Sequence, residues 1–154
     1  SRAPDRPRSP GSEAYRILRY LLDTDVISQL TKDLPHPGVV RWLNEQDEND
    51  LFLSVVTLLE IRVGVELTDK GKKRNKLERW LVDVLPQRFD DRIIPVERHV
   101  ADLTGRIMAR SRSEGSAMKS MDALIGATAM VNEMGLATLN KNHFERLDVE
   151  LVEF

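Results

Sequence analysis

From residue 20 onward the chain alternates short apolar runs with longer stretches of helical spacing, and that alternation leaves few folds open to it. The apolar runs cover residues 19–22, 51–55, 92–94, 136–139 and 149–152, while 39–46, 58–67, 76–85, 99–111 and 122–134 carry helical periodicity. A strand covered by helices on both faces reads as a continuous apolar run, because neither side meets water. Strands alternating with helices therefore predict an α/β fold of three layers, α/β/α, around a mostly parallel sheet of about five strands. The punctuation agrees. Thr24 and Thr57 stand where caps would open helices directly after strands, and Gly135 stands where the helix before Leu136 would close. Pro86 and Pro95 are expected at element ends, where a missing N–H does least harm.

Residues 1–12 are rich in Pro, Arg and Ser without apolar periodicity. Residues 1–19 are thus expected to be a disordered leader or an expression-derived segment, with one domain over 20–154. Five Arg against Asp5 and Glu13 make residues 1–19 net +3, so the −2 of the whole chain leaves −5 on the rest. A net acidic domain is a poor passive binder of nucleic acid, since such binders neutralise phosphates with Lys and Arg. If the domain handles nucleic acid, a cation must offset its acids first. The absence of cysteine removes disulfides, thiolate zinc sites and thiol nucleophiles, and suits a reducing compartment. No apolar run approaches the ~20 residues that span a bilayer, and the N-terminus lacks the apolar stretch of a secretory signal. A cytoplasmic protein without a membrane segment is expected.

In open α/β sheets ligands bind outside the carboxyl ends of the strands. That rule selects four residues: Asp23 directly after the first apolar run, Glu60 one turn into the helix after 51–55, Asp122 opening DALIGATAM, and Asn140 directly after LATL. With parallel, adjacent strands all four reach one rim. Each also has an ordinary reading. Asp23 suits a turn, Asp122 a helix N-terminus through its dipole, and Asn140 a cap for the segment that follows. Glu60 sits among apolar neighbours, where an unpaired charge is expensive to bury. Acids without imidazole or thiolate suit Mg²⁺, with Mn²⁺ a plausible substitute, better than Zn²⁺. Such an ion relieves the repulsion between crowded carboxylates, makes water more acidic and clamps phosphate oxygens. One ion and two are both compatible with this set.

The same segments resemble the PIN-domain ribonucleases, in particular the VapC and FitB-like toxins of bacterial toxin–antitoxin pairs. YLLDTDVISQL resembles the first motif of that family, SVVTLLEIRVGVE the second, MDALIGATAM the third, and LATLNKNHFERLDVELVEF the closing segment. The resemblance implies a PIN-like fold and Mg²⁺-dependent endoribonuclease activity, with Asp23, Glu60 and Asp122 as the acidic core holding the ion, Glu60 directly or through water. It also implies RNA as substrate, a homodimer, and a small VapB-like antitoxin whose tail occupies the cleft. Thr24 and Thr138 are expected to orient the acids through their hydroxyls. Three positions depart from the family pattern: Asp25 stands where Asn is common, Asn140 where many relatives carry an acid, and His143 where Asp is frequent. His143 is read as a surface or supporting residue. The basic run KGKKRNK is read as a solvated loop leading into a helix.

Two rival readings use the same residues. LLDTDV also satisfies the signature of haloacid-dehalogenase phosphatases, with Asp23 as nucleophile and Asp25 as acid/base. That family also requires a Lys and a late acidic pair, and nothing after Leu136 supplies the pair. The other rival is a degenerate domain that binds RNA or a partner without cutting; the presence of all three acids argues against it.

Overall fold

The computed structural model describes residues 19–154, so the predicted leader lies outside the described residues except for Arg19. The sheet is built from β1 (Tyr20–Leu22), β2 (Leu51–Ser54), β3 (Ile93–Ile94) and β4 (Gly135–Ala137), in the order β3-β2-β1-β4. Every pairing is parallel, with Leu21 opposite Phe52 and Leu136, and Leu53 opposite Ile93. Alternate strand residues face opposite layers. Leu22 and Leu53 join Val26, Ile27, Val65, Leu85 and Phe89 in one core. Leu21 and Leu136 join Ile125, Ala129 and Phe144 in the other. The three-layer architecture follows from that division.

The helices are α1 (Thr24–Ile27), α2 (Pro37–Glu45), α3 (Val55–Leu67), α4 (Lys72–Arg79), α5 (Leu85–Phe89), α6 (Arg98–Ser113) and α7 (Ser120–Val131). Helices α6 and α7 meet through Val100, Ile107, Ala123 and Ala127. The small residues of DALIGATAM let α7 lie close against its neighbours; a Cβ on Gly126 would stand 2.4 Å from Leu147 Cδ1. No helix among the described residues is long and apolar enough to cross a membrane.

Several sequence expectations are corrected. The run 149–152 forms no strand; it meets β4 in one parallel bridge, Leu136 with Leu151, so the sheet has four strands. Val149 and Leu151 pack on the Leu136 face of the core and Val152 on the other, and the pairing stops at two backbone bonds, Leu136 N–H to the Glu150 carbonyl and Val152 N–H to the Leu136 carbonyl. Asp23 and Ser54, not Thr24 and Thr57, cap α1 and α3, because each is the last extended residue before its helix. Gly135 is already in β4, and α7 closes at Glu133, which takes φ 54°. Pro86 lies within a continuous helical run from Lys72 to Phe89, not at its end. A wide turn over Trp80–Val84, in which the Leu85 N–H reaches back to the Trp80 carbonyl, accommodates the ring.

Candidate active site

Parallel strands bring their carboxyl ends to one rim, and the selected residues stand along it. Asp23 follows β1, Glu60 lies in the second turn of α3 behind β2, and Thr138 and Asn140 follow β4. Asp122 is the third residue of α7, the helix leading into β4. The Asp23 N–H donates to the Ala137 carbonyl at 2.9 Å, which fixes the carboxylate between the ends of β1 and β4.

Asp23 is 6 % exposed. Its Oδ1 accepts from the Thr24 N–H at 2.8 Å and its Oδ2 from the Thr138 hydroxyl at 2.8 Å. Burial pushes its pKa up to about 7, and the neighbouring Asp25 charge pushes the same way. The bonds from Thr138 and Thr24 oppose the rise, and Glu60 adds a smaller push upward. Asp25 is also raised, first by burial and then by the charge of Asp122, against the opposing hydrogen bond from the Leu139 N–H. The charges of Asp25 and Glu60 thus oppose ionisation of Asp23, and that of Asp122 opposes ionisation of Asp25.

The donors around these acids are specific. Thr24 donates its hydroxyl proton to Glu60 Oε1 at 2.7 Å, and fully buried Thr57 lies 3.2 Å from the same hydroxyl oxygen. Asp25 Oδ2 accepts from the Leu139 N–H at 3.1 Å and the Asn140 amide at 2.8 Å. Thr138 Oγ1 is 3.5 Å from that oxygen, and its single proton serves the nearer Asp23. Asp25 Oδ1 is buried without a hydrogen-bond partner. Asn140 precedes the short turn Lys141–His143 but makes no side-chain cap there; its amide N–H donates to Asp25 instead. His143 Nδ1 is 3.0 Å from Asp122 Oδ2. Thr57, read from the sequence as a cap, and His143, read as surface or support, both touch this set.

An all-oxygen donor set with an orphaned carboxylate oxygen and a raised neighbouring acid suits a hard divalent cation. Among the described residues, however, no three acidic or histidine side chains draw together tightly enough to form a ready-made metal group. Glu60, Asp25 and Asp122 are each turned onto a donor of their own.

Residues 20–150 match the family model for the PIN domain. The chain is 35% identical to toxin FitB of Neisseria gonorrhoeae over 129 residues, 84% of this chain and 93% of that protein. It is 28% identical to VapC ribonuclease Y4jK of Sinorhizobium fredii over 132 residues, 86% of this chain and 94% of that protein. The crystal structure of FitAcB from Neisseria gonorrhoeae superimposes with a TM-score of 0.80 at 34% identity, covering 87% of this chain and 96% of that one. With a parallel sheet, an acidic rim at its carboxyl ends and matches of this extent, the chain belongs to the PIN-domain family.

Proposed function

We propose that this protein is a metal-dependent endoribonuclease, the toxin of a toxin–antitoxin pair acting in the cytoplasm. The observation that carries the reading is Asp23. A carboxyl buried to 6 % exposure beside Asp25 and Glu60 is costly to ionise, and acids perturbed in this way cluster at functional sites. The similarity to a toxin, FitB, and to a VapC ribonuclease supports the same conclusion.

Asp23 and Asp122 would hold Mg²⁺, with Mn²⁺ as substitute, and Glu60 would complete the set directly or through water. Such an ion would keep several of its own waters, as Mg²⁺ prefers. The ion supplies charge to neutralise the phosphodiester and makes water more acidic. The chain's own residues do the rest. Thr138 and Thr24 hold the Asp23 and Glu60 carboxylates in place, and Asn140 and the Leu139 N–H hold Asp25. A VapB-like antitoxin would inhibit by putting an Arg or Lys where the cation sits, since a guanidinium or ammonium satisfies the same oxygens. A homodimer is part of this reading and is supported by an uncovered apolar stripe on α3.

Incubation with single-stranded RNA tests it. Cleavage is expected with Mg²⁺ and not with EDTA, and Asp23→Ala and Asp122→Ala should each bring it below detection while circular dichroism stays unchanged. Cleavage by either variant at the rate of the parent would overturn the assignment.

A further inference from the structure

A groove of about 780 Å³ runs along α6 to the first turn of α7 and the segment after β4, and Asp122 and His143 are part of its lining. Its walls also carry Arg106, Arg110, Lys119 and Arg146, over apolar surface from Ile107 and Met118. The three arginines are largely exposed. Arg106 and Arg110 lie one helical turn apart on α6. Glu114 accepts from Arg110 at 3.0 Å and from Arg146 at 3.4 Å, so one carboxylate is shared by two guanidiniums, and Arg106 donates to Asp102 at 3.0 Å. With Glu114, Asp122 and Asp148 in the lining, the four cations there exceed the acids by one.

Cations over an apolar floor, opening from an acidic rim, suit an occupant that is anionic and flatly apolar by turns. A small anion has no use for the floor. A duplex keeps its bases stacked away from it. A single nucleic-acid strand offers both a phosphate and an unstacked base at every step. Building on the ribonuclease reading above, we propose that this groove binds the nucleotide flanking the cut bond, its phosphate on Arg106, Arg110 and Arg146 and its base against Ile107 and Met118. The substrate is then single-stranded on the side that enters the groove.

The experiment is steady-state cleavage of a single-stranded oligoribonucleotide with Mg²⁺ by the full chain and its Arg110→Gln, Arg146→Gln and double variants. Glutamine keeps the stem of each exposed side chain, and melting curves verify the fold. The double variant should raise KM about tenfold, well beyond any fall in kcat. Its slope of log(1/KM) against log[salt] should flatten by about 0.7 for each phosphate of the single strand that is no longer neutralised. An abasic nucleotide scanned along the oligonucleotide should raise KM severalfold for the parent at one position beside the cut. If the parent cleaves RNA while KM, salt slope and abasic scan are all unaffected, the groove is not the strand's path and the ribonuclease reading stands alone. If the variants instead escape an inhibitory antitoxin with RNA kinetics unaltered, the groove belongs to a protein partner and the inference falls. A parent that cuts no RNA removes both readings together.

Discussion

At the scale of single residues, Asp23 ties stability to function. Its ordinary carboxylic pKa of 3.8 is raised to about 7 in the folded chain. Between about pH 4 and pH 7 the folded protein therefore binds a proton at Asp23 that the unfolded chain has released. Stability falls as pH rises through that window, by on the order of 4 kcal/mol at most. Asp23→Asn keeps an acceptor for the Thr24 N–H and removes the ionisation. In EDTA the melting temperature of this variant should exceed that of the parent by a margin that widens from pH 4 to pH 7 and is flat above. A margin constant over the range would show that Asp23 titrates normally. A cation needs the ionised form, so Mg²⁺ should raise the parent's melting temperature more at pH 8 than at pH 6 and leave the variant unmoved. The positions of Asp23, Glu60 and Asp122 were legible in the sequence because the end of β1 and the starts of α3 and α7 are legible. The role of Thr57 was not, because a threonine after a strand reads equally as a cap. Nor was the contact of His143 with Asp122, which depends on how the segment after β4 folds back over α7.

At the scale of elements, the end of α7 shows a local conflict that the tertiary structure overrides. The Met134 N–H donates to the Ala129 carbonyl at 2.9 Å and the Glu133 N–H to Met130 at 3.2 Å, a Schellman closure that requires a left-handed residue at Glu133. Glutamate holds φ 54° there although its Cβ crowds the following carbonyl. Glu133→Gly should stabilise the protein by about 1 kcal/mol, net of the extra freedom glycine gives the unfolded chain. Glu133→Ala, which keeps the Cβ, should give no such gain in urea melts; equal effects of both would place the cause elsewhere. The sequence pattern points to Gly135 for the closure, since glycine is the usual left-handed residue. Met134 overrides it: anchored in the core beside Ala129 and Leu136, it fixes where the chain must turn. Pro86 is a parallel case, because only the wide turn before it lets the helix continue. Strand runs were legible from their apolar composition, even at the edge strand β3, and least so at 149–152, where an apolar run makes a single bridge and no strand.

At the scale of the whole molecule, the apolar pattern of α3 exceeds what one chain can cover. Ile61 and Val65 are buried in the core, and Val56 packs on the other face of the sheet. Val55, Leu59, Val63 and Leu67, every fourth residue, form a stripe left in solvent, with Leu59 and Val63 about half exposed at 47% and 49%. Scattered apolar residues are normal on a surface, but an aligned row along one helix marks an interface. The homodimer proposed above would cover this row, and Glu60 on the same helix links the interface to the acidic rim. Dimerisation then stabilises the fold by mass action, so the melting temperature of the parent should rise with protein concentration. Leu59→Lys places a charge in the row at a site whose own fold has little to lose, on the order of 0.5 kcal/mol for a surface position. Light scattering should find this variant monomeric, with a melting temperature that no longer depends on concentration and a circular dichroism spectrum like that of the parent. A variant that remains dimeric would move the interface off α3 and leave the row to the antitoxin.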